Sequence, residues 1–104
     1  MQNTLLQNKF NSDVMEAVEE SKKIGYNPTR FIVMLHKEKE NAFEVAQKLV
    51  KKDLTFGLWE LYKHRRLDLS LEAIITKPEY EKLFSPEIIS ICKRKLKQLG
   101  YKIH

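Results

Sequence analysis

The sequence predicts an all-α fold, a compact single-domain bundle of six or seven short helices over residues 1–104 with its core at about 10–101. Three observations carry the expectation. Nearly all of the three glycines and three prolines stand where a helix would start or stop. Apolar residues recur at intervals of three and four, the spacing of one helix face. A single β-branched apolar run occurs, and a lone strand has no partner.

The elements follow in order. Phe10, Val14, Ala17, Val18 and Ile24 share one stripe, with Asp13, Glu16, Glu19, Glu20 and Lys23 on the other side. Gly25 then takes the left-handed stop position. Asn27-Pro28 reads as an N-cap followed by proline in the first turn. Phe31 to Leu35 is apolar all round and is expected to form the central, most buried helix. Leu35→Ala would then cost about 2–5 kcal/mol. Ala42, Phe43, Ala46, Leu49 and Val50 form a third stripe, and Asp53 to Thr55 interrupts it. Phe56, Leu58, Trp59, Leu61 and Tyr62 make a helix with two broad apolar faces, its aromatics expected in the core. Asp68 or Ser70 caps the next helix, which carries Leu71, Ile74 and Ile75. Lys77-Pro78 and Ser85-Pro86 open two more. The last sets Ile88, Ile89, Cys92, Leu96 and Leu99 against Lys93, Arg94 and Lys97, and Gly100 ends it.

Composition bounds the function. Hydrophobic residues at 42% and charged residues at 32% suit a soluble globule rather than a disordered tail. No apolar run approaches the ~20 residues of a membrane span. Residues 1–11 lack the order of a secretory signal, so a cytoplasmic location and no membrane partner are expected. The single cysteine, Cys92, excludes an internal disulfide and a cysteine-rich zinc site. The net charge of +5 is unevenly spread. Residues 1–47 hold six basic and seven acidic side chains, whereas residues 48–104 hold thirteen and seven. Such a surplus attracts nucleic acid or an acidic protein surface, and it also keeps a small domain soluble.

Several segments carry a resemblance. Gly25-Tyr26-Asn27-Pro28-Thr29-Arg30-Phe31, Ala46-Gln47-Lys48-Leu49, Leu58-Trp59-Glu60-Leu61 and Arg66-Leu67-Asp68-Leu69-Ser70-Leu71-Glu72-Ala73 are four of them. Pro78-Glu79-Tyr80, Leu83-Phe84 and Leu99-Gly100-Tyr101 complete the set. Together they resemble a family of small bacterial all-helical domains with GYN-x-TRF, LWE and RLDL[ST]-x-EA motifs. The resemblance spans about residues 10–101 and implies a helical domain found alone or appended to larger proteins, without implying any chemistry. At His64-Arg65-Arg66 the chain departs from the pattern, in which a small residue, often glycine, precedes the arginine.

The candidate sites also have plain structural roles. Arg65, Arg66 and Glu72 are the most distinctive polar group, although Asp68 can serve as cap and partner to Arg66. Arg30 and His36, six apart on one helix, are similar to the Arg-then-His motif of HEPN ribonucleases, in which His moves a proton and Arg stabilises phosphate charge. Here Phe31 replaces the usual polar residue after the arginine, and the long helices of that class are missing. His36, His64 and His104 share no metal-ligand spacing, and no glycine-rich loop precedes a helix. Cys92 belongs with the core stripe.

Basic clusters remain at Lys48, Lys51 and Lys52, at Lys63 to Arg66, and at Lys93, Arg94 and Lys97. The first two also answer helix dipoles. A helix-turn-helix from residues 28–38 and 41–52 would present a second helix with one glutamine and no arginine, poor equipment for reading bases. The expectation is therefore a non-enzymatic interaction module without cofactor, metal or catalytic residue. Its expected partner is a protein, with non-specific nucleic-acid binding as the alternative and a HEPN-like ribonuclease as the outsider. The candidate binding surface is Arg65, Arg66, Glu72, Lys93, Arg94 and Lys97. The pattern leaves the oligomeric state open.

Overall fold

Helix α1 (Thr4–Lys23) runs for 20 residues and buries the apolar stripe from Phe10 to Val18 along one side. The computed structural model describes residues 4–37, 42–51 and 56–102, apart from the side chains of Arg30, Lys37 and Phe56. Beyond α1 these residues form α2 (Thr29–Lys37), α3 (Ala42–Val50), α4 (Phe56–Lys63), α5 (Leu71–Ile75) and α6 (Pro86–Gln98). Single 3-10 turns at Leu67–Leu69 and Pro78–Tyr80 complete the set, with no strand among the described residues. The all-α bundle is therefore as the sequence predicts. The interruption expected at Asp53 to Thr55, together with Lys52 and His104, lies outside the described residues.

Helix ends follow local chemistry. At the close of α1, Gly25 N–H donates to Lys22 O and Tyr26 N–H to Ser21 O, with Gly25 at φ 94°. The same pair of bonds closes α6 at Gly100, φ 79°, and closes α4 at Arg65, φ 60°. All three are Schellman stops, and only the one at Arg65 places a side chain in the left-handed region. That is the position where the resemblance calls for a small residue. Arg65→Gly is expected to raise stability by roughly 0.5–1 kcal/mol, because relief of the left-handed strain exceeds glycine's added unfolded freedom. Chemical denaturation of the two proteins side by side measures it.

The starts are equally local. Ser85 Oγ accepts from Ile88 N–H with Pro86 in the first turn of α6, as expected. At α5 the cap is Ser70, whose Oγ accepts from Ala73 N–H and donates to Leu67 O. Asp68 sits inside the 3-10 turn and pairs with Arg66 instead of capping. Pro78 opens a single 3-10 turn rather than a helix. The first bond of α2 runs from Ile32 N–H to Pro28 O, so the helix begins one residue later than an Asn27 cap would set it.

The core departs from expectation in one respect. Phe31 is buried, but Ile32, Met34 and Leu35 are only partly so, and Val33 is 52% exposed. Among the closer helix pairings α2 meets only α3, so its all-round apolar surface is one-sided in use. It is a flank, not the centre, and Leu35→Ala removes a side chain already partly in water. The centre lies where α1, α3, α5 and α6 meet. Phe10 and Tyr80 are fully buried there, and Phe10 meets the rings of Tyr80, Phe84 and Phe43 edge-on at 5.3, 5.0 and 6.4 Å. The Tyr80 hydroxyl donates to the Asp13 carboxylate. A smaller cluster of Leu58, Leu61 and Leu67 joins α4 to the bundle, with Tyr26, Leu99 and Tyr101 against it.

Candidate functional site

The six residues expected to form a binding surface divide into three places. Arg65 is exposed at the stop of α4. Arg66 makes a two-pronged contact with Asp68, Nε to Oδ1 at 3.0 Å and a terminal nitrogen to Oδ2 at 3.2 Å. That hydrogen bonding, with the nearby carboxylate charge, raises the guanidinium pKa above its ordinary value.

Glu72 must be removed from the surface set. It is 4% exposed and lies under the bundle wall, because its first-turn position on α5 faces α6. There Lys95 Nζ stands 3.4 Å from Glu72 Oε2 and donates to Val50 O at 2.7 Å. Lys95 is itself 4% exposed. One ammonium thus ties α5 to α6 and satisfies a carbonyl at the end of α3, where a cation also suits the helix dipole. The signal was present in the sequence: Lys95 lies three residues from Cys92 and seven from Ile88, on the apolar stripe.

Cys92 is fully buried beside this pair, as the stripe implied. Burial, with the charge of Glu72 adding to it and that of Lys95 opposing, pushes its thiol pKa up to about 12. A thiol held neutral in the fold supports stability below its ordinary value near 9, and that support is lost as pH rises toward 12.

Lys93, Arg94 and Lys97 project from the opposite side of α6, all exposed. With Ser90 and Tyr101 they line a shallow hollow of about 520 Å3. None of the three cations meets a carboxylate among the described residues.

An aromatic pair expected in the core is also placed differently, on the surface. Leu58 and Leu61 form the inner side of α4, which leaves Trp59 and Tyr62 on its outer side, 43% and 42% exposed. Their rings meet edge-to-face, centroids 5.6 Å apart at 82°. Lys63 of the same helix pairs with Glu60 at 2.7 Å, while His64 and Arg65 follow in the exposed stop. The two apolar faces of α4 were visible in the sequence. Which of them the bundle would cover was not.

The Arg30–His36 pair falls on α2 with His36 exposed, and the Arg30 side chain lies outside the described residues. No group of three His, Cys, Asp or Glu side chains is arranged to hold a metal among the described residues. No described helix is long and apolar enough to cross a membrane. No family model, curated protein or solved structure matches this chain.

Proposed function

We propose that this protein is a non-enzymatic interaction module that docks an acidic protein partner through the outer face of α4. The observation that carries the reading is the exposed Trp59–Tyr62 pair. Tryptophan, tyrosine and arginine dominate the energetics of protein interfaces, and here Arg65 stands at the end of the same helix. Two of the three cations nearest the rings in sequence are compensated, Lys63 by Glu60 and Arg66 by Asp68, while Arg65 between them meets no carboxylate among the described residues. That mixed polarity suits a protein rim better than a phosphate backbone, which rewards uncompensated charge. The exposed cations Lys93, Arg94 and Lys97, unpaired among the described residues, would favour acidic side chains on the partner.

One observation favours a second reading, a single-stranded nucleic acid. Exposed aromatics next to basic groups are what sequence-tolerant single-strand binders use. Affinity capture from the source cells, before and after nuclease treatment, separates the two. Wild type, Trp59→Ala/Tyr62→Ala and Lys93→Glu/Arg94→Glu/Lys97→Glu are compared. The expected partner is a protein that survives nuclease and is bound about thirtyfold more weakly by the aromatic variant, a loss of about 2 kcal/mol. Capture that disappears with nuclease, and falls with the charge reversal, would install the nucleic-acid reading in its place.

A further inference from the structure

A cavity of about 500 Å3 lies between α1, α2, α4 and α5. Its size falls within the range of small-molecule sites. Val14, Ala17 and Val18 form one wall, and Phe31, Leu61 and Ile74 contribute to the others. Half of its polar lining is accounted for. The Ser21 hydroxyl donates to Ala17 O, that of Thr29 to Asn27 O, and that of Ser70 to Leu67 O. Three groups stand apart, the first being the exposed side-chain amide of Asn27, which makes no hydrogen bond among the described residues. The Tyr26 hydroxyl has no hydrogen-bond partner among the described residues, and it lies so close to Gly57 that a Cβ there would come within 2.8 Å. The Glu72 carboxylate, its side chain 5% exposed, has Lys95 at one oxygen and no donor at the other among the described residues.

We propose that this cavity binds a small, neutral, largely apolar molecule bearing one hydrogen-bond donor, which the free oxygen of Glu72 accepts. Neutrality follows from the charges already present. Lys95 balances Glu72, so a cationic ligand would add an unpaired charge between apolar walls, at heavy desolvation cost. The donor follows from the carboxylate, since a buried acceptor without a partner is costly. The site is distinct from the outer face of α4 and stands or falls separately from the docking role.

Indole and 1-methylindole are the probes, nearly the same shape with and without the N–H. Both are titrated into the full chain and followed by amide chemical shifts. Indole is expected to bind about tenfold more tightly than 1-methylindole and to shift the amides of Ala17, Ser21 and Glu72. Ala17→Leu, which fills the cavity, should abolish binding, and Trp59→Ala should leave it unchanged. If the filled variant fails to fold, the comparison of the two probes on the native chain still decides. No indole binding at millimolar concentration, equal affinity for both probes, or shifts confined to α4's outer face would each overturn the proposal.

Discussion

Lys95→Met is expected to lower stability by about 3–5 kcal/mol, a large share of what a domain this size possesses. The substitution keeps an unbranched apolar stem, one heavy atom shorter, and removes the ammonium. Two acceptors then lose their donor, the Glu72 carboxylate and the Val50 carbonyl at the end of α3. Both belong to buried residues in the wall between α3, α5 and α6. The double variant Glu72→Gln/Lys95→Met removes the stranded charge and should recover part of the loss. Urea denaturation of the three proteins measures this. A single variant as stable as wild type would show that the pair is not buried in solution.

Phe10→Ala should cost about 3–5 kcal/mol by a different route. Phe10 has no exposed surface, and its ring is met edge-on by Tyr80 and Phe84 and more distantly by Phe43. These partners come from two separate parts of the chain, Phe43 on α3 and the segment of residues 80–84, so no one element can collapse into the space the ring leaves. Edge-on aromatic pairs add to the simple burial term. Thermal unfolding would detect the loss as a drop of well over 10 °C, at about 4–8 °C per kcal/mol for a domain of this size.

The legible parts of this fold are those decided within a few residues. Ser85-Pro86 opens α6, and Gly25 and Gly100 close α1 and α6, because cap and stop chemistry needs only neighbouring backbone groups. Apolar spacing located the helices for the same reason. Burial is a different matter, since it depends on which other element arrives. The Phe31 to Leu35 run is apolar all round, yet the bundle covers it mainly from one side. Trp59 and Tyr62 show the converse, large rings left in water because Leu58 and Leu61 already fill the inner face. Glu72 looked like a surface carboxylate because its partner, Lys95, is 23 residues away. A lysine on the apolar stripe of α6 was the clue, and its meaning required the packing of α5 against α6.

The basic half of the chain likewise separates in three dimensions. Some of its cations are committed, Lys95 inside the wall, Lys63 to Glu60 and Arg66 to Asp68. Lys93, Arg94 and Lys97 on α6 meet no carboxylate among the described residues and stand beside Tyr101, which also packs against the inner cluster of α4. The proposed docking role therefore joins an apolar anchor on one helix to a charged strip on another. Affinity would come mainly from the rings, and steering from the strip.

Trp59 is the only tryptophan in the chain, so its emission reports on the proposed anchor without a label. The deciding measurement is its fluorescence during titration with the captured partner and, separately, with a single-stranded oligonucleotide, each at physiological salt. The docking role predicts a blue shift that saturates with the protein partner and no change with the oligonucleotide. An emission left unmoved by the partner, or moved by the oligonucleotide at that salt, would contradict it.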